Sequence, residues 1–122
     1  MNEKIVLNEV NNAGDRIHLY FNGWVGLYVA YGISAFLLSK ETKVSPSYSQ
    51  DMQMPVAVIN SAHYDELKKE LEVLKKVENY RCLKAKAQYN DKEYDEWAAA
   101  LRMGGGQICD GITNGSWLMV QG

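Results

Sequence analysis

The sequence is short of arginine, of cysteine and of any catalytic signature, and each shortage removes a class of function. Its 13 basic residues stand against 15 acidic ones, for a formal charge of -2. That balance makes no field to concentrate a polyanion, so nucleic acid is not expected as a partner. Arg16, Arg81 and Arg102 are the arginines, which leaves few bidentate forks for phosphate or carboxylate. Cys82 and Cys109 are the only cysteines, too few for a disulfide scaffold. The N-terminal stretch MNEKIVLNEV carries charge within its apolar part and does not read as a secretory leader. Both thiols are therefore expected to be reduced, in a cytoplasmic protein. No HExxH, paired CxxC or GxSxG pattern occurs, so no metal and no cofactor is expected. Asn114-Gly115-Ser116 reads as a turn, since its glycosylation pattern has no meaning without secretion.

Also missing is any charged side chain between Arg16 and Lys40, a length that could cross a membrane as a helix. The stretch contains His18, Asn22, Gly23, Gly26, Gly32, Ser34 and Ser39 and is rich in Tyr, Val, Ile and Phe, which favours strands over a lipid helix. No membrane association is expected.

What is present is ordinary globular material: 122 residues, 47% hydrophobic and 23% charged, enough for one domain with one core and too apolar for wholesale disorder. Residues 4–10 read as a first strand ahead of the turn cluster Asn11-Asn12-Ala13-Gly14-Asp15. Asn22-Gly23 between two apolar runs signals a hairpin with a two-residue turn. It would pair Phe21 with Trp24, Leu19 with Gly26 and Ile17 with Tyr28 on a core face. The opposite face, with His18, Tyr20, Val25, Leu27 and Val29, would be only partly covered. Ile33 to Leu38 is apolar on both alternations, as in a central strand, and Pro55 opens an edge strand, Val56 to Ile59.

Asn60 and Ser61 supply caps for a helix whose apolar stripe Tyr64, Leu67, Leu71, Leu74 and Val77 would carry it to about Ala87. Asn90 with Glu93 begins a second helix presenting Tyr94, Trp97, Ala98 and Leu101, and Gly104-Gly105-Gly106 stops it. Residues 107–120 read as a closing hairpin around Asn114-Gly115. The expected fold is α+β, an antiparallel β-meander sheet packed against one long and one shorter helix, with a C-terminal hairpin.

The glycine triplet follows a helix and so faces its carbonyl end, which does not suit phosphate. The acidic pairs Asp65-Glu66 and Asp95-Glu96 have lysines one turn away and read as solvated ion-pair faces. The segment Glu41 to Met54 is long for a connection between strands, and such segments are often functional. Ser45, Tyr48, Arg102, Gly105 and Gln107 are accordingly the candidate ligand-binding residues. The expected function is a small non-catalytic binding or inhibitory protein, in the style of phage and mobile-element accessory proteins. It would sequester a small-molecule ligand or block a partner protein. Too few helices to cover both sheet faces imply a homo-oligomer, most simply a dimer. The alternative is a small enzyme with an inter-subunit site built from His18, Cys109 and Asp110.

Overall fold

A computed structural model describes residues 2–104 of the chain. In chain order these form α1 (Asn2–Val10), β1 (Arg16–Asn22), β2 (Leu27–Tyr31), α2 (Gly32–Glu41), β3 (Ser47–Ser49), β4 (Met54–Asn60), α3 (Ser61–Leu67), β5 (Val73–Val77), β6 (Tyr80–Lys84) and α4 (Asp91–Gly104). The strands make one antiparallel six-stranded sheet in the order β3-β4-β2-β1-β6-β5. The fold is α+β, as its patterning implies.

Alternation along β1 sends Ile17, Leu19 and Phe21 to one face and His18 and Tyr20 to the other. The first face is the core. Ile17, Leu19, Tyr28, Ala30, Ala57, Ile59 and Leu83 are buried there against Phe36, Leu37 and Leu38 of α2 and Tyr64 and Leu67 of α3. The β1–β2 register differs from the expected one: Phe21 pairs with Tyr28 and Asn22 with Leu27, so the loop holds the four residues Gly23 to Gly26. Asn22 closes it twice, its side-chain oxygen accepting from Trp24 N at 3.0 Å and its carbonyl from Gly26 N at 2.9 Å. Gly26 supplies the positive φ of 67° that the closure needs. The shift is by an even number of residues, so every side chain of β1 keeps its face. Trp24, expected in the core, is instead out in the loop and 98% exposed.

Other elements depart from the pattern reading. Residues 2–10 form α1 and not a strand: Ile5 and Glu9, one helical turn apart, are its buried residues. Ile33 to Leu38 lies in α2 and not in a central strand. Ser34 through Leu38 are all buried, and a helix enclosed on every side is as uniformly apolar as a buried strand. Gly32, at φ 57°, turns β2 directly into α2 where an added Cβ would lie 3.2 Å from Met54 Sδ and 3.3 Å from Glu9 Cγ.

The strand opened by Pro55 is not at the edge, because the three-residue β3 pairs beyond it, with Tyr48 opposite Pro55. The long helix expected from residue 61 stops at Leu67, and residues 73–84 are a β-hairpin turned at Glu78-Asn79. Val73, Val77 and Tyr80 are strand formers, and pairing along β1 buries Cys82 and Leu83. The N-cap of α3 is as expected, Asn60 Oδ1 accepting from His63 N at 2.8 Å. That of α4 is too, Asn90 Oδ1 accepting from Glu93 N at 2.9 Å. The expected C-terminal hairpin lies outside the described residues.

Candidate functional site

Among the described residues, α2, α3 and α4 lie on the core face, and α1 is the one helix on the other face of the sheet. Asn8 of α1 donates to Tyr20 Oη at 2.8 Å, which places the helix over β1. Its second anchor is Glu9, which crosses to the start of α2. There Oε1 accepts from Ser34 N at 2.9 Å and Oε2 from Ser34 Oγ at 2.5 Å, while Ser34 Oγ accepts in turn from His18 N at 2.9 Å. A helix N-terminus with unpaired amides favours such an acceptor. Glu9 is 5% exposed, and desolvation pushes its carboxyl up to about 7 against the hydrogen bonds from Ser34 and Asn12.

Because α1 is short, it leaves two adjoining hollows on this face, divided by Tyr20 and Phe21. The larger, of about 660 Å³, is lined by Ile5, Tyr20, Phe21, Val29 and Tyr31 together with Trp24 of the β1–β2 loop and Asn79 of the last hairpin. The smaller, of about 410 Å³, lies between Lys4 and Asn8 of α1 and Lys75, Val77 and Glu78 of the last hairpin, with Tyr80 beneath. Together they form an aromatic groove. Tyr20 meets Tyr31 and Tyr80 with ring centroids 6.4 and 5.6 Å apart. Burial pushes the Tyr20 hydroxyl up to about 12 and raises that of Tyr80 as well, so both phenols are neutral hydrogen-bonding groups at ordinary pH. Rings of this kind offer large apolar area with a polar tip.

His18 shares a 2.6 Å hydrogen bond with Tyr80 Oη through Nδ1 and stacks on the same ring. Burial, and then the Arg16 charge, lower its pKa, so the imidazole is neutral near pH 7. Cys82 stands directly across the ladder from His18, with its thiol pKa raised by burial. Cys109 and Asp110, named with His18 as an enzyme site, lie outside the described residues. Among the described residues no three of His, Cys, Asp and Glu gather to hold a metal ion, and no helix is long and apolar enough to cross a membrane.

The ligand-binding residues expected from sequence divide. Tyr48 and Arg102 come together on a separate hollow of about 260 Å³ between β3 and α4, with Gln53, Tyr94 and Asp95. Ser45 is exposed and outside that lining. Gly105 and Gln107 lie outside the described residues. The groove residues Tyr20, Tyr31 and Tyr80 were missed as a site. For Tyr20 and Tyr31 the signal was the second alternation of the β1–β2 hairpin, apolar yet not part of the core, whereas Tyr80 joins them only through the pairing of β6 with β1.

No protein-family model matches the chain, and no curated protein or solved structure matches it either. What the described residues define is a class by shape: a small α+β fold with helices over one sheet face and, among those residues, an aromatic groove beside α1 on the other.

Proposed function

We propose that the chain is a non-catalytic binding protein, a small accessory or inhibitory module of the cytoplasm, that holds its partner through the groove beside α1. One observation carries this reading: the two hollows meet over tyrosine rings, and a fully exposed tryptophan stands in the wall of the larger. Concave apolar surface beside an exposed aromatic side chain is a common form of interaction site. Tyr and Trp are the side chains that most often anchor such contacts. Val25 and Val77, both exposed, extend the apolar rim on either side. The neutral His18, held by Tyr80, and the protonated Cys82 thiol line neither hollow, which suits a recognition surface better than proton transfer or nucleophilic attack.

The test uses Nile red, an uncharged dye that fluoresces in apolar clefts, with the parent protein and Val29→Lys, which sets a charge in the wall of the larger hollow. The expected result is saturable binding that weakens at least about tenfold in the variant while the thermal midpoint stays close to the parent's. Equal binding by both proteins would remove the groove as the site.

A further inference from the structure

We infer that the groove's occupant is a second copy of this chain, paired about a two-fold axis so that Trp24 of each protomer enters the larger hollow of the other. This rests on the groove being a binding surface and names its partner. In an isologous pair one surface patch meets itself, so it must carry both a projection and the recess that receives it. This patch does. Trp24 projects from the Gly23 to Gly26 loop at 98% exposure, and the 660 Å³ hollow it borders is lined by Ile5, Tyr20, Val29 and Tyr31, ample for an indole and apolar enough to receive one.

Within its own chain the indole does not fill that space. The hairpin loop, closed by Asn22 and Gly26, presents it in the wall of the hollow and not inside it, and no side chain of the described residues fills the recess. Charge on the rim is of both signs, Lys4 and Lys75 against Glu78, and the ion pairs of the described residues lie elsewhere. A two-fold rotation can therefore set a lysine of one protomer near the glutamate of the other. The formal charge of -2 opposes the approach of two copies only weakly.

Sedimentation equilibrium at micromolar concentration tests the pairing on the parent, Trp24→Ala, Trp24→Phe and Val29→Lys. Trp24 makes almost no intramolecular contact, so its variants are expected to fold. The parent should sediment at twice 13.8 kDa. Trp24→Ala should dissociate, with affinity reduced by about thirtyfold or more, the loss typical of a buried aromatic anchor. Trp24→Phe should retain most of the association. Dye binding should persist in Trp24→Ala, whose hollow keeps Ile5, Tyr20, Val29 and Tyr31 and is vacated by the partner's indole, and be weakened in Val29→Lys.

A parent that sediments at 13.8 kDa, or a Trp24→Ala variant that stays paired, overturns the second-copy inference. If the dye then still depends on Val29, the groove reading stands and its occupant is a foreign aromatic group. Dye binding that ignores Val29 defeats the groove reading itself, whatever the mass.

Discussion

Glu9 shows how one residue can join two distant parts of the chain. Its carboxyl replaces the side-chain cap that α2 lacks at Tyr31, and it does so from a helix 25 positions earlier. No cation is among the influences on it, so the acid is held by hydrogen bonds alone against the cost of desolvation. The pH consequence follows from the direction of the shift. A carboxyl that titrates near 4.5 unfolded and about 7 folded keeps its proton in the fold where the unfolded chain has lost it. Its contribution is then fully present below pH 4.5 and is lost as pH rises to about 7. The loss is on the order of 3 kcal/mol. His18 acts in the opposite sense, because its lowered pKa removes stability as pH falls below its unfolded value of 6.5. The test is therefore a difference: urea unfolding of parent and Glu9→Gln across pH 4 to 8. The parent's stability relative to the variant should fall through the Glu9 window, and a constant difference would show that Glu9 does not titrate there.

At the scale of the element, the β1–β2 loop separates two glycines that look alike in sequence. Gly26 has φ 67° and open space around its missing Cβ, whereas Gly23 lacks a positive φ and would place a Cβ 3.7 Å from Phe21. Gly26→Ala is expected to cost about 1 kcal/mol through backbone strain alone, and Gly23→Ala to change stability by less than about 0.5 kcal/mol. Thermal unfolding of the two variants decides it, and a larger loss at Gly23 would restore the two-residue turn. The same loop chemistry explains why the β5–β6 hairpin was not read from sequence. Its turn is Glu78-Asn79, with Glu78 at φ 43°, where a glycine would have announced it. Leu67 and Leu71, both buried, belong to the helical spacing. Leu74 and Val77 continue that spacing by coincidence while lying in a strand whose residues are all exposed.

For the molecule as a whole, α4 is the helix held most lightly, since it has half-buried residues but no buried one. It is held by an aromatic cluster in which Phe36 meets Trp97, Tyr94 and Tyr89 edge-on at 5.3, 5.6 and 6.0 Å. An ion pair between Lys40 and Glu93, largely in water, adds little. Trp97→Ala should cost about 2 kcal/mol, less than a fully buried tryptophan would, and Lys40→Ala less than about 1 kcal/mol. Hydrogen exchange gives the sharper check. In Trp97→Ala the amides of α4 should exchange faster by a larger factor than those of β1, and equal acceleration throughout would mean that α4 unfolds only with the sheet. The segment from Glu41 to Met54 also belongs to this scale, because β3 within it pairs with β4 and Tyr48 meets α4 across a hollow. It is part of the sheet, and more than a free loop.

What the sequence determined by itself is what neighbouring residues decide among themselves. The caps at Asn60 and Asn90 act over three positions, and the alternation of β1 sorts its side chains between faces whatever the loop length. The α+β class follows from such local signals. The tertiary structure decided the rest, because uniform burial makes α2 apolar on all sides and hides its period. The inner face of α1 is likewise masked by Glu9, whose partners are Ser34 and the start of α2. Likewise the groove exists only where α1 stops short on the sheet, and its aromatic rings come from β1, β2 and β6, which only strand pairing brings side by side.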